Sequence, residues 1–576
     1  MSPRRFTVLG SVVLGLCALS ACLGLVGLGS LPSARAETRA RDARAAAAKV
    51  DDLVAARWRS AKDLPVAAPA DDAEFLRRVT LDLIGTIPTE AETVAFLADV
   101  APDKRTAVVE RLLASERHGD WFATWYGNLL VGTEIRDRTI NRRTFNEWLR
   151  EQFRSNRPYD ELVHDLIAAS GNSDDNGAVG FVSSFENRAA DATGKVSRYF
   201  LGVQLQCAQC HDHPYDKRIK QTDFTSFAAF WFTTTHRRNQ TPGNPEISFD
   251  IASWPLEDLR GGRPQRTGGM DGMRPGQPLR LEGVQRAVRG SALDVPEAKF
   301  LLGKPVKDVP GLDRRTLLAK WVTSKRNPWF APAFANRLWA YFLGRGIVHP
   351  VDDFSTANKP TNPELLDHLA DEFEASQFDV RHLIRVITSS QAYQRSSRLP
   401  RGQERPDPSL HAVAAVRPLT VEQSFDALFR ATGYEKEVER LMAGARVAAG
   451  MGRGQLADPR MRIYEQFRRR FDDDEQVEEE TFTGTIPRGL MMLNDGRVNQ
   501  MMSARNTDSP LAAILAAAKG DRERVRRIYL TVLSREPSPG ESTNALQHVH
   551  TSRLPDQGYE DLLWALCNTT EFMSNH

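Results

Sequence analysis

Cysteine is scarce in this chain, with five residues in 576. Cys17 and Cys22 lie near the N-terminus, and the body keeps only Cys207, Cys210 and Cys567. Three cysteines build no disulfide framework, and a body of this length needs none to stabilise its core. A surplus of one charge is also missing. The 76 Lys and Arg against 74 Asp and Glu leave a net charge of +2, which removes any global electrostatic reason to expect nucleic acid or an anionic membrane surface as partner. No phosphate-binding glycine loop, no Gly-x-Ser-x-Gly elbow and no His-Glu-x-x-His occurs, so the readily recognised nucleotide, hydrolase and zinc-peptidase chemistries are not signalled. Strand-like alternation is sparse, and no fixed-period repeat is present.

What is there is helical patterning in an ordinary globular composition, 41% hydrophobic and 26% charged. The length exceeds one hydrophobic core and implies two or three domains. Arg4 and Arg5 precede an apolar run from Phe6 to Leu31, followed by Ala34-Arg35-Ala36. This reads as a secretory signal with a small-x-small cleavage site. Leu19-Ser20-Ala21-Cys22 also has the form of a lipobox, and the run is long enough for an uncleaved anchor. Each reading places the body outside the cytoplasm, in the periplasm or cell envelope, with membrane contact only through residues 1–36.

Val50, Leu53, Val54 and Trp58 fall on one helical face. The run from Phe75 ends at Gly85, and Thr89 with Glu92 forms a capping box for the next helix. Helices are expected over 103–115, 119–131, 141–155, 158–170, 196–210 and 221–232. They resume over 313–324, 331–344, 363–375, 379–390, 420–431, 508–536 and 555–575. Between them lies a stretch rich in Gly, Pro and Arg, in which 247–251 and 299–302 are candidate short strands expected to pair as a small sheet. The fold class is therefore mainly α, with two helical domains, 37–235 and 311–576, joined by an irregular segment, 236–310, holding small β elements. The charge run Arg468 to Glu480 reads as a solvated face.

The densest chemistry is Cys207-Ala-Gln-Cys210-His211-Asp-His213-Pro214. Cys-x-x-Cys-His is the attachment sequence of c-type haem. Two thiols one turn apart reach the two vinyl groups of one porphyrin, and the adjacent His211 ligates the iron. The same segment offers Cys207, Cys210, His211 and His213 as zinc donors, although a distant fourth ligand would be needed. A Cys207–Cys210 disulfide, or a segment with no cofactor, is the third reading. A second axial ligand to iron would be a Met or His, and Met270, Met273, Met491, Met492, Met501 and Met502 are candidates by type alone.

The runs Phe75 to Thr89, Asn156 to Asp160 and Phe200 to Pro214 resemble the domain of unknown function 1549. Asn336 to Phe354 and Ile528 to Pro537 resemble its usual partner, domain of unknown function 1553. The resemblance spans nearly all of the chain after the export segment. It implies a planctomycete-type cytochrome-like family, a label that leans on the same Cys-x-x-Cys-His and on fused haem domains that have no counterpart here.

A second constellation holds Asn336, Arg337, Trp339, Arg345, Asp352 and Asp353. Paired carboxylates beside Trp and Arg are a sugar-binding and glycosidase device, which makes Asp352, Asp353 and Arg337 the catalytic candidates. The plainer reading is a helix stop at Gly344 to Gly346, a turn at Pro350 and an Asp–Arg pair locking it. Asp82, beside Arg77 and Arg78, reads as an ion pair between helices. The functional expectation is an exported haem- or metal-binding protein with a redox role and a redox or cell-envelope protein partner. The alternative is an exported polysaccharide-processing or polysaccharide-binding protein, or a surface scaffold, with the motif as a clasp.

Overall fold

A computed structural model describes residues 34–133, 139–239, 248–253, 296–434, 463–465, 467–468, 501–505, 509–554 and 556–576. The export segment with Cys22, the loop carrying Met270 and Met273, most of the Arg468–Glu480 charge run, and Met491 and Met492 lie outside these residues. Among the described residues the fold is mainly helical, with small antiparallel sheets.

Helix α1 (Ala34–Ser60) buries Val50, Leu53 and Val54. Helix α2 (Asp72–Ile84) is capped by the Asp71 side chain and ends at Gly85, whose φ of 70° is the left-handed conformation that glycine tolerates. Helix α3 (Glu90–Ala98) starts on the Thr89–Glu92 capping box. Then come α4 (Lys104–Ala114), α5 (Glu116–Val131), α6 (Arg142–Arg154), α7 (Tyr159–Ala168), strand β1 (Gly171–Asn172), α8 (Val179–Ser183), α9 (Ala189–Leu201), α10 (Gln221–Ala228), β2 (Thr234–Asn239) and β3 (Ser248–Ser253). Strand β3 is central, antiparallel to both β1 and β2. Among the described residues the expected pairing of 247–251 with 299–302 does not occur. Phe249 and Ile251 of β3 bury themselves beneath α8 instead, and Lys299 makes only an isolated bridge to Pro305.

The second half supplies α11 (Arg314–Val322), α12 (Phe330–Leu343), α13 (Pro363–Ala375), α14 (Val380–Ser389), β4 (Arg417–Pro418), α15 (Val421–Thr432), α16 (Pro510–Ala517), α17 (Asp521–Leu533), α18 (Pro539–Thr551), α19 (Gln557–Cys567) and β5 (Ser574–Asn575). The expected helix over 508–536 is two helices, broken at Gly520. The α18 helix falls in a stretch that carries its own signals, Pro539 in the first turn and a Ser538–Glu541 capping box.

The larger core draws on α1–α10 and on α11–α14 together. Helix α12 lies buried in it, and Tyr159 of α7 stacks on Phe334 at a centroid distance of 3.9 Å. A smaller core gathers α15–α19 with Leu81 and Ile87 from the α2 region.

Asp82 sits at the junction of the two cores. Its carboxylate is fully buried and accepts from Arg417 Nη2 at 2.7 Å, Asn575 Nδ2 at 2.7 Å and the Tyr393 hydroxyl at 2.9 Å. Burial raises its pKa, and Arg417 opposes the rise. The ion pair expected from sequence is present, but its cation is distant in the chain. Arg77 turns instead to the carbonyls of Val532 and Phe572, and Arg78 to Glu74, Tyr393 and the His576 carbonyl. Arg78 stands one turn before Asp82 and favours its ionised form, but its hydrogen bonds go elsewhere, so helical spacing could not identify the hydrogen-bonded partner.

Candidate functional site

The expected helix over 196–210 does not run through the cysteines. Helix α9 stops at Gly202, which has φ 66° and a backbone N–H donating to the Ser197 carbonyl. After the turn a 3₁₀ segment, Leu205–Gln209, carries Cys207, with Cys210 immediately after it. A 3₁₀ helix has three residues per turn, so residues three apart eclipse. The two thiols are thus set on one side of the segment. Both are exposed and unbridged, while Leu205 and Ala208 anchor the opposite side in the core.

His211 is exposed as well. Its Nδ1 lies 2.7 Å from the Asp212 carbonyl. Since a carbonyl can only accept, Nδ1 carries the proton and Nε2 keeps its lone pair, with no partner among the described residues. His213 is the opposite case. It is buried, its Nδ1 accepts from the backbone N–H of Asp216 at 2.9 Å, and its Nε2 donates to the Gln204 carbonyl at 3.0 Å. Both ring nitrogens are committed to backbone, so His213 shapes the loop and offers no lone pair to a metal. Among the described residues no group of three or more His, Cys, Asp or Glu is arranged to hold a metal ion.

Three further contacts hold this loop. Asp212 accepts from Lys220 Nζ at 3.0 Å and from the Gln221 N–H at 3.1 Å, tying the motif to the start of α10. Asp216, buried, accepts a forked pair from Arg218, with Nη2 at 2.6 Å, and the Thr356 N–H at 3.3 Å. The Phe354 N–H donates to the Gly202 carbonyl at 2.9 Å. The 350–356 turn therefore packs directly against the cysteine loop, and the two constellations that lie far apart in sequence are neighbours in space. Gly202, Asp216 and Thr356 were not singled out from sequence. Gly202 was the available signal, a glycine placed to end a helix.

Arg218 and its hydrogen bonds pull the Asp216 pKa down to about 2. A carboxylate with a depressed native pKa stabilises the fold above its unfolded value of about 3.9. That contribution is lost as pH falls from there through about 2. Urea midpoints of the wild type and of Asp216→Asn, compared at pH 6 and pH 2.5, check this: the gap between them should narrow at the lower pH. Gly202→Ala has two costs, since a Cβ there would sit 2.6 Å from Phe354 Cδ2 in a left-handed backbone. It should lower stability by about 1–3 kcal/mol, read from the same midpoints.

The 336–353 constellation is assembled as a turn lock. Asn336 donates to the Val348 carbonyl at 2.9 Å and accepts from the Val348 N–H at 2.9 Å, spanning a turn that contains the cis His349–Pro350 bond. Asp352 is buried between Arg337, in direct contact, and Arg198 of α9 at 2.8 Å. Asp353 points elsewhere and accepts from the Ser355 N–H at 3.3 Å. Trp339 is fully buried, with its Nε1–H on His411 Nε2 at 3.1 Å. The two carboxylates thus do not face each other across a cleft, and the tryptophan offers no surface to a sugar.

Met501 and Met502 are buried in the smaller core, the gap-filling use of methionine. No helix among the described residues is long and apolar enough to cross a membrane. No curated protein and no solved structure matches the chain. Residues 49–236 match the protein of unknown function DUF1549, and residues 314–549 match the protein of unknown function DUF1553. The chain belongs to the family in which these two domains of unknown function follow one another.

Proposed function

We propose that the Cys207–His211 segment is a covalent attachment site for a c-type haem and that the protein is an exported, cytochrome-like redox protein. The observation that carries this reading is the state of His211. Its Nδ1 proton is fixed on the Asp212 carbonyl and its Nε2 lone pair is open at the surface, the arrangement by which a second hydrogen bond orients a ligating imidazole. The exposed thiols of Cys207 and Cys210 stand beside it.

Attachment would add each S–H across one vinyl group. The sulfur bonds one vinyl carbon, the hydrogen goes to the other, and no oxidant is needed. When bound, the haem supplies one-electron chemistry. The chain's own part is to hold the thiols on one side of a 3₁₀ turn, to fix the imidazole tautomer, and to keep the loop rigid through Asp212, His213 and Asp216. The partner on this reading is a redox or cell-envelope protein. The polysaccharide alternative has less support, because Asp352 is spent on Arg198 and Arg337.

The test is the visible spectrum of the full chain co-produced with a c-type haem maturation system. A Soret band is expected, and His211→Ala should shift it without releasing the colour. A colourless protein carrying zinc would overturn the proposal in favour of a metal clasp.

A further inference from the structure

The surface around the cysteine loop has a polarity that the chain as a whole, at a net charge of +2, lacks. Three ion pairs flank it: Arg198 with Asp352, Arg218 with Asp216, and Lys220 with Asp212. In two of them the partners are unequally placed. The Arg198 and Arg218 side chains are 52% and 51% exposed, whereas Asp352 and Asp216 keep 8% and 1%. The cations face water and their carboxylates lie beneath. Arg218 spends Nε and Nη2 on Asp216, which leaves Nη1 for an incoming acceptor. Lys217 is exposed and has no ion pair among the described residues. Asp212 is the one exposed carboxylate within 204–221, and Lys220 matches it. These groups form one face. The Thr356 N–H reaches Asp216 from the turn that carries Asp352. On α9 a Cβ at Gly194 would meet Gln206 Cγ at 2.6 Å, so Arg198, one turn later, stands beside the loop.

Tyr215 belongs to the same face. It is 68% exposed, and no other aromatic ring among the described residues is exposed to that degree. Its mounting is rigid. The Tyr215 and Asp216 N–H groups both donate to Nδ1 of buried His213, at 3.3 and 2.9 Å, and the two rings meet edge to face at 6.4 Å. A fixed, solvent-facing tyrosine beside arginines has the composition of a protein-binding hot spot, and its rigidity lowers the entropy lost on docking. A nucleic acid is a poorer fit, because its binding is built from many neutralised phosphates and three of these four cations are already shared with carboxylates. We infer that the face of Tyr215, Lys217, Arg218 and Arg198 docks an acidic electron-transfer protein. The partner's carboxylates meet the cations and an apolar contact covers the tyrosine ring. That the partner transfers electrons rests on the haem reading; that its face is acidic does not.

The first test reads the charge in the haem-free, reduced full chain. Its exposed thiols are reacted with doubly negative dithiobis-nitrobenzoate and with neutral dithiodipyridine. In each case a cysteine thiolate attacks the reagent's disulfide and displaces an aromatic thiolate. The ratio of the two rates cancels the thiolate fraction and reports the local potential. It should fall as salt rises, and at low salt it should fall about threefold in Lys217→Glu. A ratio that salt leaves unmoved would overturn the inference. The second test titrates an acidic plant-type ferredoxin into the full chain produced with and without haem. Saturable binding at low salt is expected, weakened about three- to tenfold by Tyr215→Ser and by Lys217→Glu. Both residues are exposed, so neither substitution endangers folding. No binding, or binding indifferent to both substitutions, would overturn the inference. Tighter binding to phosphatidylglycerol vesicles would overturn it in favour of a membrane surface. Binding by a chain that takes up no haem would support the acidic docking face and overturn the haem reading alone.

Discussion

On the haem proposal, Cys207→Ser combined with Cys210→Ser is expected to remove all covalently retained haem from the protein and to leave the thermal stability of the haem-free chain essentially unchanged. Both halves follow from the same geometry. The thiols are exposed and make no disulfide, so replacing sulfur by oxygen disturbs no packing, and surface substitutions of that kind stay within about 0.5 kcal/mol. A serine hydroxyl is too weak a nucleophile to take the place of a thiol at a vinyl group. Either single variant keeps one thioether and hence colour. The measurement is the haem remaining with the polypeptide after acid–acetone extraction, set beside melting curves of the four proteins produced without haem. Large destabilisation of the double variant would mean that the cysteines hold the loop, as a clasp would.

Asp82→Ala is expected to cost about 3–5 kcal/mol of folding stability, the range for removing one partner of a buried ion pair. The loss is large because the carboxylate serves three donors. Without it Arg417, Tyr393 and Asn575 lose their shared acceptor. Among the described residues, Arg417 then keeps the Tyr341 carbonyl as its hydrogen-bond acceptor. These donors come from the stretch after α14, from β4 and from β5, whereas Asp82 belongs to α2, so the substitution loosens both cores at their junction. Denaturant unfolding followed by tryptophan fluorescence checks this. A cost below 1 kcal/mol would mean that the network is not what joins the two cores.

Much of the helical fold was legible from periodicity and punctuation. Gly85, the Thr89–Glu92 capping box and Gly344 all act as their residue types dictate. The plain reading of the second constellation also matches what is seen, with a helix stop at Gly344, a turn at Pro350 and an Asp352–Arg337 lock. What could not be read was partner choice across long separations. Nothing local marks Arg417 rather than Arg77 as the cation for Asp82, or places Thr356 against Asp216. Within the motif, the residue types were legible but their division of labour was not. Only the loop geometry separates His211, with an open nitrogen, from His213, whose two nitrogens are both bound to backbone. The helix drawn through the cysteines failed at Gly202, where a left-handed residue and the close approach of Phe354 turn the chain into a 3₁₀ segment.

The measurement that bears most directly on the central claim is the intact mass of the wild-type protein, co-produced with a c-type haem maturation system and kept reduced. A gain equal to one haem, present in the wild type and absent from the Cys207→Ser/Cys210→Ser protein, is the expected result. An unmodified mass, or one lower by two hydrogens when the reductant is omitted, would contradict the assignment of Cys207, Cys210 and His211 to haem.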